Sequence, residues 1–294
     1  DYSLMKEKIH HWNQLLLKAR SQRIPPGLDD KSLTSWSSLM ISGLVQAYKA
    51  LGDPDYLSMA LRSAELIRQK LWDKDGILHR NYTNGRSSIA GFHIDYALYT
   101  EACLNLYSAS LDPKWLDLAR EITEVTLHLF YDKGSGMFYY SGKGSDILIA
   151  NNVETQDNVI PSSNSVMAHN LFTLGHLMAD KEYLDKSATM MKQMSDRFLK
   201  YPHGFANWGS LLLKQLNPYY EIAISGPDAT SVAKTLSKDY LPHALITGSE
   251  MESKLPLFLN RFESLKTRIF VCQGNVCQLP VEDPEDAKKI YHIK

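Results

Sequence analysis

Three short segments, Asp53-Pro54-Asp55-Tyr56-Leu57, Asp112-Pro113-Lys114-Trp115-Leu116 and Asp180-Lys181-Glu182-Tyr183-Leu184, repeat one pattern at intervals of about 60 to 70 residues. Each reads as a helix start: Asp is a good N-cap, and Pro is tolerated at the first helical position, where its missing N–H costs no hydrogen bond. The stretches ahead of these caps, Ser35 to Ala50, Ile94 to Ser108 and Val166 to Met178, are apolar or small on nearly every side, the pattern of buried helices. The stretches after them are one-sided. Trp115, Leu118, Ile122, Val125 and Leu129 form a stripe, while Asp117, Arg120, Glu121 and Glu124 lie away from it. Buried helices alternating with amphipathic ones across short turns predict inner helices wrapped by outer helices, a mainly α (α/α) toroid.

Between hairpins come Gly-punctuated aromatic segments, Trp72 to His79 and Phe130 to Tyr140, which read as a turn flanked by short strands. Each returns an outer helix to the next inner one, so all must emerge at the face carrying the inner-helix N-termini. About eight helices precede Pro218, where a closed ring of six hairpins needs about twelve. The chain opens at Asp1 within an amphipathic helix (Leu4, Met5, Ile9, Trp12, Leu15, Leu16). The expectation is therefore a partial ring over 1–217, with upstream residues completing it.

From 218 to 294 the character changes. Tyr220 to Gly226 reads as a strand, Asp228 to Ser237 as a helix and Ala244 to Gly248 as a second strand, a βαβ unit forming a small α/β subdomain. The Gly226-Pro227-Asp228 turn into that helix reads as ordinary strand-to-helix geometry, with a phosphate cradle as the alternative. A turn at Gly274-Asn275 places Cys272 and Cys277 across a hairpin; the expectation is two neighbouring reduced thiols, not a bond.

With 32 Lys plus Arg against 33 Asp plus Glu, the chain has no charge excess to hold a nucleic acid or an anionic membrane, and no apolar run reaches the roughly 20 residues of a span. Three cysteines fit neither a disulfide scaffold nor a four-cysteine zinc site and suit a reducing, cytoplasmic setting. No H-E-x-x-H, G-x-S-x-G or Walker pattern is present, so metal hydrolysis, serine-esterase and nucleotide chemistry lose support and neither metal nor cofactor is expected.

The unusual polar residues gather at the inner-helix starts: Arg23, Asp29, Asp30 and Trp36 before or in the first, His93, Asp95 and Tyr96 at the second, Gln156, Asp157, Ser162 and Asn164 at the third. Neighbouring inner helices lie roughly 8 to 10 Å apart, which brings Asp30 and Asp95 into the roughly 6.5 to 9.5 Å range of an inverting acid and base pair. His93 is a candidate proton carrier, and Trp36 and the Tyr139-Tyr140 pair are candidates to stack on a sugar ring. Several have a structural alternative: helix capping for Asp29 or Asp30 and for Ser162, a packed hydrogen-bonded ring for His93, core for the aromatics.

The motifs Arg23-x-x-Pro26, Asp29-Asp30-Lys31-x-x-Thr34-x-Trp36, Asp95-Tyr96-Ala97, Asp157-x-x-x-Pro161-Ser162-x-Asn164-Ser165 and Cys272-x-x-x-x-Cys277-x-x-Pro280, in this order, resemble the spermatogenesis-associated protein 20 family. The resemblance implies a thioredoxin-like domain upstream, followed by a toroid of the six-hairpin glycosidase and N-acylglucosamine 2-epimerase type. It supports a sugar-related fold without supplying a reaction or substrate; the first expectation, read from the residues, is a carbohydrate-active toroid, epimerase-like or glycosidase-like, with Asp30, Asp95 and His93 catalytic and Arg23, Asp29, Trp36, Tyr96, Asp157 and Asn164 holding a carbohydrate ligand. The expected partners are that ligand and the upstream toroid and thioredoxin-like segments of the same protein. The chain departs from the family pattern at Ser37-Ser38 (Asn-Gly), Ile94 (Glu) and Ser163 (Gly); loss of the acidic neighbour of Asp95 removes one proton carrier. The competing expectation is a non-catalytic helical module that supports a redox domain or binds a protein.

Overall fold

The computed structural model describes residues 1–143, 150–274 and 276–291. It divides into an N-terminal unit, Asp1–Lys31, and a main unit, Ser32–Lys294. The N-terminal unit is helix α1 (Tyr2–Ser21) followed by an extended segment. Asp1 caps α1, accepting from the Ser3 N–H at 3.1 Å.

The main unit contains the expected hairpins: α2 (Thr34–Leu51) with α3 (Pro54–Lys70), α4 (His93–Ser110) with α5 (Pro113–Phe130), and α6 (Ser163–Met178) with α7 (Lys181–Lys200). A short turn at Pro202–Phe205 leads into α8 (Ala206–Leu216). Helices α2, α4, α6 and α8 pack side by side as successive inner helices, and each of the first three is backed by its own outer helix. This is the (α/α) toroid arrangement, present as a partial ring. Along α5, Trp115, Leu118, Ala119 and Ile122 are buried against α4; a fully buried Leu or Ile contributes about 1.5 to 3 kcal/mol, so this stripe, not helix propensity, holds the outer layer on.

The repeat seen in the sequence is a repeated corner. Each of the first three inner helices ends on one left-handed residue, Gly52 (φ 76°), Leu111 (φ 57°) or Ala179 (φ 51°), followed at once by the Asp that caps the outer helix. Asp53, Asp112 and Asp180 accept from the backbone N–H of Asp55, Lys114 and Glu182 respectively. Inner and outer helices approach closely at Gly175, where an added Cβ would lie 2.6 Å from the Leu184 side chain.

The connecting segments carry short strands, with one displacement from expectation. β4 (Tyr131–Asp132) and β5 (Met137–Phe138) pair around the Gly134-Gly136 turn as expected. In the first connector only an isolated bridge joins Trp72 to Leu78. The hairpin lies further on: β2 (Asn81–Thr83) pairs with β3 (Arg86–Ser87) and with β1 (Ser32–Leu33), just ahead of α2. The Asn84-Gly85 dipeptide, both residues at positive φ, supplies the turn that the sequence reading overlooked.

The C-terminal region is a four-stranded sheet in the order β7-β6-β8-β9, from β6 (Tyr220–Ser225), β7 (Ala244–Ser249), β8 (Arg268–Gln273) and β9 (Val276–Cys277), with α9 (Ala229–Leu236) and α10 (Pro284–Tyr291). β6 and β7 are parallel across α9, the expected βαβ unit. At Gly226 (φ 135°) an added Cβ would lie 2.3 Å from the Lys266 carbonyl, so close backbone packing accounts for this glycine. The expectation of two unjoined thiols is corrected: Cys272 and Cys277 stand directly opposite in the β8–β9 register, their Cα atoms 3.8 Å apart, and a disulfide joins them. Asn275, half of the expected turn, lies outside the described residues. Among the described residues no helix is long and apolar enough to cross a membrane.

Candidate active site

At the inner-helix N-termini the first unmet need is hydrogen bonding: each helix start exposes backbone N–H groups with no partner within the helix. Asp95, three residues into α4, meets it for two helices at once. One carboxylate oxygen accepts from the Phe92 N–H at 3.0 Å and from Arg80 Nη1 at 3.2 Å, and the other accepts from the Ser35 N–H of α2 at 3.1 Å. Burial pushes this carboxyl above its ordinary range, against the pull of the Arg80 guanidinium and the backbone N–H donors. Asp157 does the same for the next pair. It accepts from the Ser162 N–H and Ser165 hydroxyl at the start of α6 and, through its other oxygen, from the Asn207 N–H of α8 at 2.9 Å. The two carboxylates act as staples between successive inner helices.

The remaining expected residues of the main unit are also built into this rim. Asn164 accepts from the Phe138 N–H at 2.8 Å and donates to the Phe138 and Glu154 carbonyls, holding β5 as a neighbouring strand would. The His93 ring stacks on Phe138 (4.7 Å between centroids, 13° between planes) and tilts against Phe130. It is wholly buried, neither of its nitrogens has a hydrogen-bond partner, and burial pushes it down to about 3, so it is the neutral ring. Tyr96 accepts from the Leu78 N–H at 2.9 Å. Asp95 and Asn164 are likewise fully buried, while Trp36 is 67% exposed. Residues 137–140 thus join the second and third hairpins: Asn164 and His93 meet at Phe138, and the His93 N–H donates to the Tyr140 carbonyl. In the N-terminal unit, Asp29 accepts from Lys31 through both backbone and side chain, which holds its carboxyl below the usual range; Arg23 and Asp30 are exposed.

A second polar set, missed in the sequence, runs along the concave face of the ring. Ser42, Gln46 and Lys49 on α2, Glu101, Asn105 and Ser108 on α4, and His169, Thr173 and His176 on α6 each recur at i, i+4 and i+7, which places each set in line along one helix face. Ser210 and Lys214 continue it on α8. On α4 this face is opposite the side packed on α5 and is the part of the helix left incompletely buried. Asn105 donates to Ser42 at 3.2 Å, and His169 Nε2 meets the Asn207 carbonyl at 2.9 Å and Ser210 Oγ at 3.3 Å. Loss of hydration pushes Glu101 up to about 7, with the Lys214 ammonium pulling the other way, and the same burial lowers Lys214 and takes His169 down to about 3. The signal was present: a polar residue every turn in helices otherwise apolar. Among the described residues no group of three His, Cys, Asp or Glu side chains gathers as metal ligands would.

No family model matches the chain. Curated relatives do: human spermatogenesis-associated protein 20 is 27% identical over 317 residues, covering 99% of this chain and 40% of its own length. An uncharacterized protein of Caenorhabditis elegans, B0495.5, is 27% identical over 304 residues, covering 98% and 41% respectively. Among solved structures, the GH76 α-mannanase BT2949 of Bacteroides thetaiotaomicron superposes with a TM-score of 0.49 at 17% identity, over 60% of this chain and 46% of that one. The cellobiose 2-epimerase of Bacillus thermoamylovorans gives 0.47 at 13%, over 55% and 44%. The chain spans about two fifths of the length of the curated relatives it matches. Over nearly its whole length the chain is similar to spermatogenesis-associated protein 20, as the motifs at Arg23, Asp95 and Asp157 led us to expect.

Proposed function

We propose that the main unit acts on carbohydrate by acid–base chemistry on its concave face, with Glu101 as the proton carrier. The observation that carries this reading is the place of Glu101: a half-buried carboxyl on the polar line of α4, one turn from Asn105 and within electrostatic reach of Lys214, with no hydrogen bond among the described residues, so that burial pushes it up to about 7. Such a group can give and take a proton within one turnover at physiological pH. Ser42, Asn105 and Ser210 offer the mixed donors and acceptors that sugar hydroxyls need, and the exposed Trp36 offers a stacking surface. On this reading Asp95, Asp157 and Asn164 brace the rim and His93 packs it; Arg23, Asp29 and Asp30 lie in the N-terminal unit and take no assigned part on this face. The test is to incubate the chain with aldoses and oligosaccharides and follow epimerisation or new reducing ends by proton NMR. Glu101→Gln should lower kcat by about a hundredfold or more with KM little changed. An active chain indifferent to that substitution would remove Glu101 from the chemistry.

A second reading is favoured by the rim itself. The staples and the His93 stack leave Asp95, His93 and Asn164 wholly inside the fold, as suits a non-catalytic helical module supporting a thioredoxin-like redox domain or binding a protein partner. Absence of turnover across the whole sugar panel would favour this second reading.

A further inference from the structure

At the C-terminal ends of α2 and α4, these inner helices and the segment between α9 and β7 line an open pocket of about 300 Å³, with Gln46, Lys49, Ser108, Lys238, Asp239 and Tyr240 among its walls. Lys49 reaches into this region and donates to Ser108 Oγ at 2.9 Å; Ser108 in turn donates to the Ile246 carbonyl at 3.0 Å, so its hydroxyl serves Lys49 as acceptor. No other hydrogen bond and no ion pair of Lys49 occurs among the described residues. The one carboxylate in the lining, Asp239, is paired with Lys288 at 3.0 Å. The other charged groups nearby are Lys238 in the lining and Lys234, which lies over the Tyr48 ring, so the surroundings carry a positive excess. Burial brings the Lys49 ammonium down to about 8, which leaves a substantial neutral fraction at neutral pH.

We infer that Lys49, at the C-terminal end of the polar line that also carries Glu101, is the nucleophile of a second site, one that takes a small anionic aldehyde and holds it as a Schiff base. The Lys49 Nζ lone pair attacks the carbonyl carbon, a proton passes from nitrogen to the former carbonyl oxygen, and the carbinolamine loses water to leave the imine. No electrons are gained or lost overall, so no oxidant or reductant is needed. Lys238 supplies charge for the anionic substituent, and Ser108 keeps Nζ turned toward the cavity. A surface lysine lacks all three features: it is solvated, protonated and unconfined.

Pyridoxal 5′-phosphate, an aldehyde bearing a phosphate, is the probe. The intact chain is treated at pH 8 with limiting probe, reduced with borohydride and mapped by peptide mass spectrometry. Lys49 should be labelled roughly tenfold faster than a typical surface lysine, because its neutral fraction is far larger and only partly offset by its weaker basicity. Excess inorganic phosphate should slow this labelling, and Lys238→Met should weaken it while leaving Lys49 in place. Lys49→Met should abolish the saturable adduct, with circular dichroism checking the fold. Label spread over surface lysines with Lys49 unmodified, or labelling at Lys49 unaffected by both phosphate and Lys238→Met, would overturn the inference.

Discussion

Glu101→Gln should make the protein more stable at pH 8 and leave it unchanged near pH 4.5. The folded state raises this carboxyl from its ordinary 4.5 to about 7, so it holds the proton more tightly than the unfolded chain does. Stability contributed by the protonated group is full below 4.5 and is lost as pH rises through 7, where folding must bury a charge. Taken whole, that displacement corresponds to about 3 kcal/mol, at about 1.4 kcal/mol for each tenfold change in proton affinity. Glu101 is only partly buried, and its removal leaves Lys214 without a counter-charge. Discounting for both, we expect about 1 to 2 kcal/mol at pH 8. The assay is urea unfolding of both proteins at pH 4.5, 6, 7 and 8, reading the difference between their titration profiles so that groups common to both cancel. A difference that does not vary with pH, or a variant less stable at pH 8 than at pH 4.5 relative to wild type, would refute the buried-carboxyl argument.

His93→Phe should flatten the acid limb of the stability profile. The neutral ring is favoured in the fold, so its stabilisation is full above 6.5 and drains away as pH falls toward 3; at pH 5 the gain should be about 2 kcal/mol by urea unfolding. A variant less stable than wild type at pH 5 would show that the ring makes a polar contact important to the fold. Ala179→Gly should raise stability by about 0.5 to 1 kcal/mol, because it relieves a left-handed Ala at a helix end; a fall in Tm would show that unfolded-chain entropy outweighs that relief.

The fold was legible because two periodicities coincided in the sequence: the Asp caps at Asp53, Asp112 and Asp180, and the contrast between all-apolar and one-sided helices. Those features are local, and local physics fixes a cap or a stripe. The rim was half legible. Asp95 and Asp157 stood out as acidic residues near helix starts, but which N–H groups a carboxylate serves depends on the neighbouring hairpin, about 60 residues away in Asp95's case. Glu101 went unnoticed because Ile94 to Ser108 was read as apolar or small on nearly every side, and the polar line Glu101, Asn105 and Ser108 that interrupts it was passed over. The Cys272–Cys277 bond was misjudged for a different reason: cysteine count speaks to the compartment, whereas pairing is decided by strand register. The Trp72–His79 segment misled because its aromatics suggested strands, while the turn chemistry lay in Asn84-Gly85.

The C-terminal sheet is fastened to the ring from within. Thr247 donates to the Tyr107 hydroxyl at 3.0 Å and Ser108 to the Ile246 carbonyl, so β7 is bonded to α4, an inner helix. Tyr219, Ala223 and Leu245 are buried in the same apolar cluster as α4 and α6. The change of character at 217–218 is therefore a seam in composition and not a mechanical joint. A protease should find no swinging linker there, and pulling on the tail should load the ring's inner wall before the sheet itself gives way.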